Sequence, residues 1–261
     1  MARPDGVPAL IPDPCREDDL PRPPLRTVPH FWMMAAVLVG LGAALLAVDV
    51  PLASWVHDGH APGSLKKVAG LSEIASHGLG IVLIVIVIAV LDPLHRYAIP
   101  RILAASLGAG LMANVGKLLL ARLRPHHVDF AAIDRGLATF GEWLPLASNP
   151  SWQQGFPSAH TATAAGLAIV LAALYPRGRW LFPAVAALAG LERVLHQAHF
   201  ASDVMWGAAV GCVFAPLCVY GSPLSACFDR LEAKLLSRNE ADTPGTAPRP
   251  HVSPGASRPA A

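Results

Sequence analysis

In this chain of 261 residues, 53% of the residues are hydrophobic and 15% are charged, whereas about 25% are charged in an average soluble domain. The composition therefore favours a chain that lies in a lipid bilayer. The net charge is +2 and the cations are scattered rather than gathered in a basic stripe, which excludes nucleic acid as the expected partner.

The N-terminal residues 1–30 are rich in Pro and carry both signs of charge. A cleaved secretory signal has a short basic start that leads into an apolar run, so we predict an uncleaved first anchor after a disordered cytoplasmic segment.

The four cysteines lack CxxC spacing and indicate neither a disulfide framework nor a metal site. They are Cys15, Cys212, Cys218 and Cys227.

Six apolar segments have the character of membrane-spanning helices, which need about 20 mostly apolar residues. They are residues 31–48, 71–91, 102–120, 157–175, 180–195 and 202–221. We therefore predict an all-α polytopic membrane protein, a six-transmembrane-helix bundle with one domain at residues 31–221. The GxxxG spacing of Gly207 and Gly211 lets another helix approach closely, and packing within the chain is favoured over dimerisation.

Lys and Arg residues are more numerous near the segment ends on the side of the N terminus. Because cytoplasmic loops carry the excess of positive residues, we predict that both termini are cytoplasmic in an inner cell membrane. The C-terminal tail, residues 222–261, is expected to be cytoplasmic and mostly disordered, since its Pro, Ala, Thr, Ser and Gly residues bury little apolar area.

Four polar groups lie near segment ends on the face opposite the N terminus, namely Lys117, His160, Arg193 and Asp203. A charged group inside a bilayer is costly unless it is paired or hydrated. The ends of the third and fifth segments and the starts of the fourth and sixth emerge on that same face. Topology therefore predicts one shared polar pocket.

The first motif at this face joins Lys117 to Arg124, with Pro125 ending the helix. Seven residues are two helical turns, so both cations point into one pocket. A basic helix end whose side chains extend to the interface is the alternative.

The second motif is Pro157-Ser158-Ala159-His160, which opens a helix whose free N–H groups form an anion site. Its alternative is that Ser158 only caps the helix and His160 is a polar interface residue.

The third motif contains Arg193, His199 and Asp203. A carboxylate beside an imidazole fixes the tautomer, so Asp203 would leave the far nitrogen of His199 available as a nucleophile. The alternative is an ordinary first-turn acid after an N-cap at Ser202, which leaves Arg193 and His199 unexplained.

In chain order the motifs give K-x6-R-P, P-S-x-H and R-x5-H-x3-D, and the chain thereby resembles the type 2 phosphatidic acid phosphatase (PAP2) family. Soluble relatives of that family include class A acid phosphatases and vanadium haloperoxidases. The resemblance implies that His199 is the nucleophile held by Asp203 and that His160 is the general acid. It assigns phosphate binding to Lys117, Arg124, Ser158, Ala159 and Arg193.

Two residues depart from the family pattern. Ala159 stands where the family usually has Gly, which removes conformational freedom if that position needs a positive φ. Glu192 replaces the frequent Ser before Arg193, and it either weakens phosphate binding or pairs with a neighbouring cation.

The expected function is a metal-independent lipid phosphatase with no cofactor, acting through a phosphohistidine at an extracytoplasmic site. Its expected partners are a lipid phosphate substrate and membrane lipids. The aromatic-containing loop 126–155 either covers the site or anchors the protein at the interface. A haloperoxidase is disfavoured by the predicted spans, and a non-enzymatic lipid-phosphate-binding or transport protein remains the alternative.

Overall fold

A computed structural model describes residues 28–146 and 150–241, and within these ranges it has nine α-helices and one small antiparallel sheet. The helices are α1 (Val28–Leu45), α2 (Asp49–His57), α3 (Gly63–Gly70), α4 (Gly78–Leu91), α5 (Ile99–Leu119), α6 (Ala159–Leu174), α7 (Leu181–Leu195), α8 (Ala201–Val219) and α9 (Pro223–Ala241). Strands β1 (Leu120–Arg122) and β2 (Phe140–Trp143) form the sheet.

Each of the six apolar segments overlaps one α-helix, namely α1 and α4 to α8, although α4 covers the second segment only from Gly78. Within the described ranges, two helices are long and apolar enough to cross a membrane, Arg96–Leu119 and Ala201–Val219. Two bent pairs, Pro29–Leu45 with Asp49–His57 and Gly63–Ala75 with Gly78–Leu91, raise the number of candidate spans to four. The sequence-based prediction of six crossings goes beyond this number, because α6 and α7 contain 16 and 15 residues.

The second segment is interrupted before α4 by side chains that bond to the local backbone. Ser72 Oγ donates to the Ala69 carbonyl at 2.5 Å, and Ser76 Oγ donates to the Glu73 carbonyl at 3.0 Å. His77 then caps α4 by accepting from the Leu79 N–H. The chain bends by 64° there, and residues 73–75 pack against α7. Hydroxyl groups that compete with the helical bonds explain the break.

The bundle is built around α6, whose residues 161–171 are all buried. Helices α5, α7 and α8 surround α6, and α1 packs on α8. A Cβ on Gly207 would overlap the Ser158 carbonyl oxygen, and one on Gly211 would lie 2.6 Å from the Ala165 Cβ. The GxxxG pair therefore brings α8 against α6, which confirms its use within the chain.

The outer faces of α1, α4 and α5 expose large apolar side chains. Examples are Val37, Leu79, Val90 and Leu111, of which Leu79 is 76% exposed. Apolar surface this extensive is not stable in water and marks contact with lipid. The structure therefore has the character of a membrane protein.

Helix α9 is a feature that the sequence analysis does not predict, since the tail was expected to be mostly disordered. Arg101 of α5 binds this helix through Asp229 and Glu232. The remaining predictions of disorder fall on residues 1–27 and 242–261, which lie outside the described residues.

We expect Gly207→Ala to lower the apparent melting temperature in detergent, because its Cβ must displace the Ser158 backbone. Overpacking of this kind costs about 1–3 kcal/mol. Gly40→Ala on α1 is the matched control, since a Cβ at Gly40 would have no heavy atom within 4 Å. Equal melting temperatures for the two variants would contradict the close α6–α8 approach.

Candidate active site

The predicted motifs meet where α5 ends, α6 begins and the loop between α7 and α8 turns back. His199 lies in that loop and is only 2% exposed. Its Nδ1 is 2.6 Å from the carbonyl oxygen of Gly155. A carbonyl oxygen can only accept, so Nδ1 carries the proton and Nε2 has its lone pair available.

The contact between His199 and Asp203 differs from the one expected from the sequence. Oδ2 of Asp203 lies 3.9 Å from His199 Nδ1, which is too long for a hydrogen bond. The carboxylate instead accepts from the Phe200 N–H at 2.8 Å and from Arg122 Nη1 at 2.5 Å. The Gly155 carbonyl therefore fixes the tautomer of His199, while Asp203 caps α8 and binds Arg122.

The surroundings of His199 favour its neutral form. Burial lowers the pKa of His199 well below its ordinary value, and the charges of Lys117 and Arg124 lower this pKa further. The bond to the Gly155 carbonyl acts in the opposite direction, and the charge of His160 again lowers the pKa. His199 is consequently an unprotonated, oriented imidazole at neutral pH.

Arg122 is the centre of a buried ion cluster next to this imidazole. It is 0% exposed. Its Nη2 donates to Asp49 Oδ2 at 2.7 Å, while Nη1 donates to Asp203 and also to Ser202 Oγ at 2.7 Å. Nε completes the set with a bond of 2.9 Å to Thr139 Oγ1. One guanidinium therefore joins the start of α2, strand β1 and the start of α8.

Two aromatic rings lie close to the same guanidinium. The Arg122 Cζ lies 4.4 Å from the Phe140 ring centroid and 4.6 Å from that of Phe200. These rings exclude water and add cation–π attraction to the ion pairs. The charges of the cluster are therefore stabilised by contacts within the protein rather than by solvent.

Asp49, Arg122 and Gly155 were missed by the sequence analysis. Signals for the first two were present, because Arg122 lies between Lys117 and Arg124, and Asp49 directly follows the first apolar segment on the predicted polar face. No local signal marked Gly155, since its carbonyl contributes only after the loop has folded onto His199.

The predicted phosphate ligands Lys117 and Arg124 are also brought to this site. Lys117 is buried, and both cations act electrostatically on His199. In the part of the chain that the structure describes, Arg124 Nε is a buried donor without a hydrogen-bond partner. Burial lowers the pKa of Arg124, with Asp203 and Arg193 contributing in opposite directions. A bound anion would satisfy this donor.

Arg193 reaches the same region from the end of α7. Its Nη2 lies 3.2 Å from Glu73 Oε1, and its Nε pairs with the Glu192 carboxylate. Glu192 also contacts His196 Nδ1 at 2.7 Å. Glu192 therefore pairs with a neighbouring cation, which is one of the two sequence-based interpretations, and that cation is the predicted phosphate ligand Arg193.

The second motif begins α6 as expected. Ser158 Oγ accepts from the Thr161 N–H at 3.4 Å and from the Thr161 hydroxyl at 3.0 Å, so Ser158 caps the helix. Its own O–H hydrogen is still available to a ligand. Ala159 is the first helical residue, and the non-glycine residues with positive φ in the described ranges are Leu144, Leu146 and Gln197. Alanine at position 159 therefore causes no backbone strain.

His160 lines a cavity of about 490 Å³ between α4, α5 and α6. His77, at the start of α4, lies across from it with the ring centroids 6.3 Å apart. The cavity also contacts Leu107 and Leu111, whose side chains are exposed on the outer face of α5. The cavity thus extends from His160 to the exposed apolar face of α5.

Within the loop 126–155, residues 152–155 contact the chain at Arg122 and Arg124 beside the site. The Arg124 N–H donates to the Trp152 carbonyl at 3.0 Å, and the Gly155 N–H donates to the Arg122 carbonyl at 2.9 Å. Trp143 is 79% exposed and points away from the protein. Part of the loop therefore supports the site from beside it, and Trp143 has the exposure of an interface anchor.

We expect Arg122→Met to destabilise the protein by about 3–5 kcal/mol, because it leaves two buried carboxylates without a counter-charge. Thermal unfolding in detergent measures this change. Arg135→Met removes a cation whose side chain is 83% exposed, and its expected effect is below about 0.5 kcal/mol. Similar unfolding of both variants would contradict the role of the cluster.

Comparison with known proteins gives consistent similarities. The PAP2 superfamily model matches residues 100–225. A lipid A 1-phosphatase of Rhizobium johnstonii is 37% identical over 109 residues, which are 42% of this chain and 41% of that protein. The decaprenylphosphoryl-5-phosphoribose phosphatase of Mycobacterium tuberculosis is 32% identical over 152 residues, 58% of this chain and 76% of that protein.

The chain spans only about two fifths of the length of the Rhizobium lipid A 1-phosphatases that it matches. No solved structure gives a significant match.

Proposed function

The chain belongs to the PAP2 superfamily, and on that basis we propose that it is a metal-independent membrane lipid phosphatase acting through a phosphohistidine. The observation that carries the proposal is the His199 imidazole, which is held by Gly155 with Nε2 available and lies within the electrostatic influence of Lys117 and Arg124. This is the arrangement that an in-line attack on phosphorus requires.

In the first step, the Nε2 lone pair of His199 forms a bond to phosphorus while the bond from phosphorus to the ester oxygen breaks. Protonated His160 gives its proton to the departing alkoxide. Charge on the equatorial phosphoryl oxygens is stabilised by Lys117, Arg124 and Arg193, with the Ser158 hydroxyl and the N–H groups that begin α6.

In the second step, a water molecule attacks the phosphohistidine. His160, now neutral, accepts a proton from that water, the bond between phosphorus and nitrogen breaks, and inorganic phosphate leaves. The imidazole of His199 regains its lone pair. The negative charge of Asp203, 3.9 Å away, stabilises the cationic imidazole of the intermediate.

The proposed substrate is a phosphate group on a membrane lipid. The cavity at His160 supports this class, because it leads to the exposed apolar face of α5 where lipid tails would remain. Relatives are named for lipid A and for a decaprenylphosphoryl compound. Phosphatidate, phosphatidylglycerol phosphate, isoprenyl diphosphate and lipid A are the candidates to be assayed.

We further propose six crossings of the inner membrane, with both termini cytoplasmic and the site at the outer interface. The short α6 is compatible with this arrangement because neighbouring helices, rather than lipid, surround it. Helix α7 would cross with help from its flanking interface residues, such as Trp180. The excess of Lys and Arg at the other end of the bundle supports this orientation.

We expect purified protein in detergent to release phosphate from one or more of these lipids with EDTA present. His199→Ala should reduce turnover by about 10³-fold or more, because it removes the nucleophile. His60→Ala, an exposed histidine between α2 and α3, is the control and should retain activity. Lipid binding without phosphate release would instead favour the non-enzymatic alternative, and an active His199→Ala variant would contradict the assignment.

The pH profile tests the electrostatics of the site. Since the pKa of His199 is lowered, its neutral form persists below the usual value of about 6.5, and the acid limb of kcat/KM that it sets lies at lower pH. Arg124→Gln removes a charge that lowers this pKa, so the acid limb should move to higher pH while kcat/KM also falls. Arg135→Gln is the exposed control. An acid limb at the same pH in the Arg124→Gln variant and the unsubstituted protein would mean that Arg124 does not influence the pKa of His199.

A further inference from the structure

Helix α9 lies at the end of the bundle opposite the site. It follows α8 after a turn in which Gly221 has a φ of 53°, and it packs on α8 and on the short turn Arg96–Ala98. Helix α8 starts beside His199 and has 19 residues, so its two ends are about 28 Å apart. Helix α9 is therefore too far from His199 to take part in the chemistry there.

A buried arginine sets the rotation of α9 about its own axis. Arg101 Nε donates to Glu232 Oε1 at 2.7 Å, and Nη2 donates to Asp229 Oδ1 at 2.5 Å and to Glu232 Oε2 at 3.0 Å. Arg101 is 8% exposed. Because both carboxylates are drawn toward α5, the edge of α9 that carries the basic residues is left facing outward.

That outward edge consists of two parallel rows of exposed side chains. Arg230, Lys234 and Arg238 repeat at intervals of four residues and form one row, which we call the basic row. The neighbouring apolar row contains Leu224, Cys227 and Leu231, spaced by three and four residues. Residues with these spacings share one side of a helix.

We propose that α9 is an interfacial helix that binds the anionic headgroups of the adjacent lipid leaflet. The basic row would contact lipid phosphates while Leu224 and Leu231 enter the boundary of the acyl chains, which is how amphipathic cationic helices bind membranes. The positive charge of the basic row complements the negative charge of lipid headgroups, which identifies the ligand of this edge as a lipid surface.

The neighbouring turn between α6 and α7 supports a lipid surface over a protein partner. Arg177 and Arg179 are exposed there, and Trp180 is 76% exposed, with the Arg179 Cζ 5.5 Å from its ring centroid. Basic residues next to an exposed tryptophan are typical of the membrane–water interface. The bundle therefore carries basic and aromatic residues of interfacial character at this end in addition to those of α9.

Cys227 provides a reporter within the apolar row. Cys212 and Cys218 are buried, so a Cys15→Ser variant of the full chain directs a polarity-sensitive fluorophore to Cys227. The labelled protein is reconstituted into vesicles of phosphatidylcholine alone or of phosphatidylcholine with phosphatidylglycerol. We expect a shorter emission wavelength in the anionic vesicles, and a reversal of this shift at high salt, which screens the attraction.

The triple variant Arg230→Gln/Lys234→Gln/Arg238→Gln should lose the shift. A matched variant with three substitutions at the opposite end, Lys66→Gln/Lys67→Gln/Arg135→Gln, should keep it. Melting temperatures in detergent check that both variants are folded.

The same emission in both vesicles, or an unchanged shift in the triple variant, would overturn the proposal. A shift that follows the ratio of protein to lipid rather than the anionic content would overturn it in favour of contact between copies of this chain. Phosphate release plays no part in the readout, so the outcome is independent of the proposed enzymatic function.

Discussion

The ion cluster of Arg122 with Asp49 and Asp203 is the constraint on which the site depends. All three side chains are fully shielded from solvent, so the charges are stabilised by one another, by Ser202 and Thr139, by backbone N–H groups of residues 200 and 202, and by the flanking rings. Loss of Arg122 leaves both buried carboxylates without a counter-charge. The cluster therefore sets the relative positions of α2, β1 and α8. The loop that carries His199 directly precedes α8, so its position depends on the cluster.

Arg122 supports His199 in two independent ways. Its side chain binds Asp203, while its backbone carbonyl accepts from the N–H of Gly155, whose own carbonyl orients the imidazole. A Cβ at Gly155 would lie 2.8 Å from that Arg122 oxygen, so the short path needs glycine. One buried residue thus connects the proposed nucleophile to both of its polar neighbours.

The two ends of the bundle differ in how they use charge. At the site end, Lys117 and Arg122 are buried and Arg124 is partly buried, and Arg124 retains a donor that the described residues do not satisfy. At the other end, Arg101 is satisfied by Asp229 and Glu232, and the remaining cations face outward. The apolar faces between these ends suit a protein whose proposed substrate and proposed surface ligand are both lipids.

The sequence by itself determined where the main helices lie and which motif residues gather, because long apolar runs and the alternation of crossings depend only on local composition and order. The prediction that His160, Arg193 and Asp203 lie on one face followed from the order of the apolar segments alone. Tertiary structure alone decided that Gly155, rather than Asp203, orients His199, and that α9 docks on Arg101. Arg122 is 73 residues from Asp49 and 81 from Asp203, and such pairings form only when distant segments are packed together in a water-free interior.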